Sequence, residues 1–194
     1  MHVTLSSWRA LDDTMIPSRG KISAAFINVA LARTQAQRAG FDEAILLDQA
    51  GHVAEGPLGS LFIVRDGVFI TTPSVDSVME GVTRRTAIEL IGSEMKMDVV
   101  ERPIERNEIY LADEALLCGT GIQIGAVTWA DHTPIGSGTP GGYTERLREL
   151  YFKTVRRGFP QYADWCVPVY ETRTYLERPE VDERRSSRAR SADL

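Results

Sequence analysis

The sequence is short of cysteine, of lysine and of long apolar runs, and each shortage excludes something. Its two cysteines, Cys118 and Cys166, are far apart and lack paired Cys-x-x-Cys spacing, so they offer neither a disulfide framework nor a thiolate metal site. Both read as free thiols, and no metal site is expected. No apolar stretch reaches the roughly eighteen residues of a membrane span, and no charged-then-apolar signal pattern opens the chain. The expected location is cytoplasmic. Basic excess is missing as well. With 22 Lys and Arg against 27 Asp and Glu the formal charge is −5, which argues against nucleic acid or anionic lipid as a partner.

The lysine shortage points to something present. Only Lys21, Lys96 and Lys153 are lysines, so plain positive charge is left to arginine. Lys21 sits where an extended stretch, 2–8, passes through a Pro/Gly loop into an Ala-rich helical pattern. An amine there can condense with a carbonyl to a Schiff base, which a guanidinium cannot do.

The 194 residues, 43% hydrophobic and 25% charged, suffice for one large self-supporting domain. Alternating apolar side chains over 2–8 predict a strand with one buried face. Ala24, Ala25, Phe26, Val29, Ala30, Leu31 and Ala36 predict a helix ending at Gly40. Residues 43–48 read as a buried strand and 52–55 as a second short one, ended by Glu55. The runs 60–65 and 68–71 flank Asp66-Gly67, the signature of a type I′ hairpin. Thr83 is the expected cap of a helix carrying Ala87, Ile88 and Ile91. Strands are predicted over 98–103, 114–120 and 122–130, with a short helix over 105–111. A glycine-rich loop, 136–142, leads to a helix over 143–157 with Leu147, Leu150, Tyr151 and Val155 on one face. Residues 177–194, nearly all charged or small, are expected to be a disordered tail.

Three features carry chemistry together. Lys21 provides an amine. Glu55, beside Gly56 and Pro57, provides a carboxylate able to hold a ring nitrogen protonated. Gly81-Val82-Thr83 at a helix start and Thr120-Gly121 at a strand end provide backbone donors and hydroxyls suited to a phosphate. An amine for a carbonyl, an acid for a ring nitrogen and cradles for a phosphate are the demands of pyridoxal phosphate.

The sequence resembles the class IV aminotransferases, the fold-type IV pyridoxal-phosphate enzymes, and among them the branched-chain amino-acid group. The likeness runs through Thr4-Leu5-Ser6-Ser7-Trp8, the Lys21 segment, Gly40-Phe41-Asp42-Glu43-Ala44-Ile45-Leu46-Leu47-Asp48 and Gly51-His52-Val53-Ala54-Glu55-Gly56. It continues through Glu80-Gly81-Val82-Thr83-Arg84 and Tyr110-Leu111-Ala112-Asp113-Glu114-Ala115 to Cys118-Gly119-Thr120. It implies an α/β (mixed α+β) large domain over 1–176, its mixed sheet curled into a partial barrel with helices outside, without the family's small N-terminal domain. The cofactor implied is pyridoxal 5′-phosphate. Lys21 falls on the catalytic lysine that carries it, Glu55 on the partner of the pyridinium nitrogen, and Val82, Thr83 and Thr120 on the phosphate binders. Gly121 falls near the substrate carboxylate.

The implied reaction is transamination between a branched-chain L-amino acid and 2-oxoglutarate, in a homodimer or with a partner supplying the N-terminal domain. Two enzymes of the same fold, aminodeoxychorismate lyase and D-amino-acid transaminase, are alternatives, as is an impaired fragment that needs such a partner. Two departures stand out. Phe26 replaces a tyrosine that bonds the cofactor's phenolic oxygen, and Gly56-Pro57-Leu58-Gly59-Ser60 replaces Gly-x-Gly-Glu-Asn. Leu58, at a glycine position, would be strained by roughly 1 kcal/mol if the backbone there needs positive φ.

Overall fold

A computed structural model describes residues 1–74 and 78–167. The first strand, β1 (His2–Arg9), is followed by helix α1 (Phe26–Arg38) and strand β2 (Glu43–Leu47). β1 pairs in parallel with β2, in the register Val3 to Glu43 and Leu5 to Ile45, with a slip before Arg9. Parallel neighbours need a long crossover, and α1 supplies it. Strands β3 (Ser60–Arg65) and β4 (Val68–Thr71) form the predicted hairpin, with Asp66 at φ 50° and Gly67 at φ 75°, as a type I′ turn requires.

Helix α2 (Val82–Leu90) continues through a π-helical turn, Ile91–Met95, and crosses over to β5 (Val99–Glu101), which lies parallel to β4. Strands β6 (Glu114–Gly119) and β7 (Gln123–Val127) are antiparallel neighbours. The short β8 (Trp129–Ala130) and β9 (Thr133–Pro134) precede helix α3 (Gly142–Val155). The strands form two mixed sheets, ordered β2-β1-β8-β9 and β5-β4-β3-β6-β7. The α/β class is as expected, the strands are divided between two sheets rather than joined in one, and no closed barrel forms among the described residues.

One apolar core joins the sheets: Val3, Ile45 and Leu47 meet Leu61, Ile63, Ile70 and Leu117. The other face of the second sheet presents Phe62, Val64, Phe69 and Leu116 to Ala87, Leu90 and Ile91 of the α2 region and to Leu147 and Leu150 of α3. β3 is therefore covered on both faces and reads as a continuous apolar run. Each such large side chain contributes about 1.5–3 kcal/mol relative to exposure.

Several expectations are corrected. The strand predicted over 122–130 breaks at Thr128, whose N–H donates to the Met1 carbonyl at 2.9 Å, so β7 and β8 enter different sheets. Residues 52–55 form no strand beyond a bridge from Val53 to Leu47: the Ala54 N–H donates to the Leu46 carbonyl at 2.9 Å and the Asp48 N–H to the His52 carbonyl at 2.8 Å, while on its other side the Val53 N–H donates to the Ile104 carbonyl at 2.8 Å. Gly81, not Thr83, is the residue preceding the first turn of α2.

The short helix over 105–111 is a 3-10 helix, Arg106–Leu111, closed by a capping box between Glu105 and Glu108. On α3 the buried face is Thr144, Leu147, Leu150 and Thr154, while Val155 is exposed and Tyr151 only half-buried. On α1 only Ala32 and Ala36 are buried, leaving Phe26, Ile27 and Leu31 exposed. The expected tail, 177–194, lies outside the described residues. Both cysteines are free, Cys118 buried and Cys166 half-buried. No described helix is long and apolar enough to cross a membrane.

Candidate functional site

A cleft of about 570 Å³ opens where four connections converge. It gathers every residue singled out in the sequence: Lys21, Glu55, Gly81, Val82, Thr83, Thr120 and Gly121 all line it.

Lys21 follows a single 3-10 turn, Ser18–Gly20, and takes the left-handed conformation at φ 46°. A lysine there costs about 1 kcal/mol or more, a strain that the surrounding structure must support. Its ammonium lies 3.5 Å from the Met79 sulfur and 5.8 Å from the centroid of the Phe26 ring, and it makes no ion pair among the described residues. Phe26 is thus a direct neighbour of the amine, without a hydroxyl to offer.

Glu55 leaves β2's irregular partner segment, with the Leu46 N–H donating to its carbonyl at 2.8 Å. Its side chain keeps part of its surface toward the cleft and accepts a bond from the Met79 N–H at 3.4 Å. Burial pushes its carboxyl up to about 7, against the smaller opposing influences of the Met79 N–H and the Lys21 charge. Burial thus favours the protonated carboxyl, and the Lys21 charge offsets only part of that preference.

At the start of α2, Gly81 is extended and makes no side-chain cap, so the first backbone N–H groups are left open to the cleft. Thr83 in the first turn is only 8% exposed, and its hydroxyl has no hydrogen-bond partner among the described residues. Thr120 and Gly121 lie exposed in the turn between β6 and β7. That turn is pressed against the 56–59 reversal, in which Gly56 and Gly59 exchange backbone bonds of 2.8 and 3.2 Å. A Cβ on Gly59 would stand 2.5 Å from the Cys118 carbonyl oxygen, and one on Gly119 2.2 Å from the Leu58 carbonyl oxygen. Only glycines permit this backbone contact, which sets Glu55 and Thr120 against one cleft. Leu58 is not among the described residues with positive φ, so the anticipated strain is absent. Pro57 at the second position of the turn directs the reversal without it.

Sequence reasoning missed Met79, which joins Lys21 and Glu55, and the ion pair of Arg19 with Glu80, 3.2 Å apart. Their proximity in sequence to Lys21 and Gly81 was the available signal. Ser60 and Cys118 also line the cleft; burial pushes the Cys118 thiol up to about 12, which keeps it neutral.

The fold and the cleft define a class of protein: an α/β domain of two mixed sheets that sets an amine, a carboxyl of raised proton affinity and an open helix start around one ligand-sized space. The sequence profile of the family described as amino-transferase class IV matches residues 2–129. The chain belongs to that family. A probable branched-chain-amino-acid aminotransferase of Aquifex aeolicus is 44% identical over 171 residues, covering 88% of this chain and 55% of that protein. Among solved structures, the branched-chain amino acid aminotransferase of Thermobaculum terrenum in its PLP-form aligns with TM-score 0.85 at 36% identity, over 88% of this chain and 55% of the other. The branched-chain aminotransferase of the thermophilic archaeon Thermoproteus uzoniensis, solved with norvaline, aligns with TM-score 0.83 at 34% identity, over 87% and 56%. The chain spans about half the length of the curated relatives it matches.

Proposed function

We propose that the chain carries the pyridoxal-phosphate half of an aminotransferase site, and that residues 1–176 correspond to the family's large domain. The observation that carries this reading is the convergence of Lys21, Glu55, the start of α2 and the Thr120 turn on one cleft. The residues present fit the cofactor. Among the described residues the amine makes no ion pair, the Glu55 carboxyl has no cationic partner stronger than Lys21, and the Thr83 hydroxyl has no hydrogen-bond partner and keeps surface toward the cleft.

Pyridoxal phosphate, when bound, supplies an aldehyde for amines and a pyridinium ring that draws off the electrons released at the amino acid Cα. Lys21 would hold the aldehyde carbon through Nζ, and the same amine would carry the proton from the substrate Cα. Glu55 would keep a proton on the ring nitrogen. The open N–H groups of α2, with the Val82 amide and the Thr83 and Thr120 hydroxyls, would orient the phosphate. The Gly121 amide would meet the substrate carboxylate. The reaction is passage of the amino group of a branched-chain L-amino acid to 2-oxoglutarate, giving the 2-oxo acid and glutamate.

The test is an absorbance titration of the purified chain with pyridoxal 5′-phosphate, followed by borohydride reduction and peptide mass spectrometry, with Lys21→Ala as control. A visible band lost in the variant, with the reduced adduct on Lys21, supports the reading. An adduct spread over Lys96 and Lys153 overturns it. Assays with leucine, D-alanine and aminodeoxychorismate then separate the branched-chain reading from the D-amino-acid transaminase and lyase readings.

A second reading, that turnover needs a second polypeptide or a second copy, is favoured by the exposed Ile22, Phe26, Leu58 and Val82 that line the cleft. Such apolar surface is normally covered. Leucine-dependent glutamate formation by the chain alone would exclude a need for a second polypeptide, and the same activity from a monomer in sedimentation would exclude a need for a second copy.

A further inference from the structure

We propose that Arg19 is the cation this chain brings to the phosphate end of the cleft, and that Glu80 holds it there until the phosphate displaces the carboxylate. The inference rests on the cofactor reading above and adds the two residues that set its phosphate selectivity.

Arg19 Nε lies 3.2 Å from Glu80 Oε1, and both residues line the cleft. Glu80 directly precedes Gly81, the residue before the first turn of α2, so the pair places a guanidinium beside that helix start. There the backbone donors are open. Two further polar groups mark the same place as a ligand position. The Thr83 and Ser60 side chains are 8% and 5% exposed, line the cleft, and have hydroxyls with no hydrogen-bond partner among the described residues. These side chains are held in place by their surroundings while their hydroxyls keep surface toward the cleft, where an anion seated at the helix start would serve as their partner.

The exchange is favoured by magnitudes. The side chains of Arg19 and Glu80 are 57% and 56% exposed, and a pair so exposed contributes little to stability. A phosphate ester carries a charge of about −1.5 to −2 against −1 for the carboxylate, and it accepts the guanidinium fork through two oxygens. It would also replace Glu80 as the negative charge at the positive end of the α2 dipole. The backbone need not move, because Arg19 is fixed within the 3-10 turn by the Gly20 N–H bond to the Pro17 carbonyl at 3.0 Å. Only two side chains turn.

The experiment compares pyridoxal 5′-phosphate with pyridoxal, which lacks the phosphate, as ligands of the full chain and its variants, read by the Lys21-dependent absorbance band. Arg19→Gln is expected to weaken the phosphorylated probe about tenfold, roughly 1.4 kcal/mol, while leaving pyridoxal unchanged. Arg19→Lys should fall between the parent and Arg19→Gln, because the amine keeps the charge but not the two-oxygen fork. Glu80→Gln should tighten the phosphorylated probe severalfold, but not in the Arg19→Gln background. Equal weakening of both probes in Arg19→Gln, or no change in either, would overturn the assignment of Arg19 while leaving the cofactor reading intact. Failure of Glu80→Gln to tighten the phosphorylated probe would overturn the role of Glu80. Absence of any Lys21-dependent band in the parent chain would overturn the cofactor reading and this inference with it.

Discussion

The Met79 backbone N–H donates to Glu55 Oε2 at 3.4 Å, while the Met79 thioether lies 3.5 Å from Lys21 Nζ. One residue thus touches both the carboxyl and the amine of the cleft. Its N–H only partly offsets the burial that pushes the Glu55 carboxyl from its ordinary 4.5 to about 7.

The ligand-free chain should therefore lose stability with rising pH. Unfolded Glu55 ionises near 4.5, whereas folded Glu55 holds its proton to about 7. Its stabilising proton uptake is complete below about 4.5 and is lost as pH rises through 7, a change of about 3 kcal/mol. Urea midpoints between pH 4.5 and 8 should fall for the parent chain and change less for Glu55→Gln. Equal slopes would contradict the environment described for this carboxyl.

Glu108 should give the opposite slope at acid pH. It receives both arms of Arg102, at 2.8 and 2.7 Å, and that bonding, ahead of its other influences, pulls its carboxyl down to about 2. The stabilisation is present above about 4.5 and disappears as pH falls toward 2. Glu108→Gln should remove this part of the acid transition in thermal melts, and it should weaken the capping box of the 106–111 helix at all pH values.

Gly59→Ala and Gly119→Ala should each destabilise the chain by roughly 1–3 kcal/mol or more, because the added methyl meets backbone rather than a movable side chain. Both should also weaken binding of pyridoxal 5′-phosphate, since the contact between the 56–59 reversal and the end of β6 sets Glu55 and Thr120 together. Melting temperature and the absorbance titration check the two effects separately.

Leu58→Gly, by contrast, should bring no gain. Leu58 does not have positive φ, so glycine there relieves nothing and loosens the unfolded chain, costing about 0.5–1 kcal/mol. A rise in melting temperature would show that the reversal is strained after all.

The chain should self-associate in isolation. Ile22, Phe26, Ile27 and Leu31 are 42%, 42%, 63% and 41% exposed along the approach to α1 and on the helix itself. Sedimentation velocity should show concentration-dependent association, reduced by Ile27→Lys. A stable, monodisperse monomer across the range would contradict it.

What the sequence determined by itself was local chemistry. Asp66-Gly67 fixed a hairpin because both positions tolerate positive φ, and the apolar run 61–64 fixed a strand covered on both faces. The types and order of Lys21, Glu55, Val82, Thr83 and Thr120 were enough to propose a cofactor site through family resemblance. What only the tertiary structure decided was set by contacts distant in sequence. The Met1 carbonyl splits 122–130 between two sheets, and the Ile104 carbonyl fastens the outer side of 52–55 by accepting the Val53 N–H. α1 buries only Ala32 and Ala36, against a small cluster that brings together Ala10, Ala44, Leu46, Ala54 and Val78 from separate parts of the chain. The pairing of Arg19 with Glu80 and the bridging position of Met79 arise for the same reason: they join the Lys21 loop to the α2 connection, and no local pattern records which loops a fold will bring together.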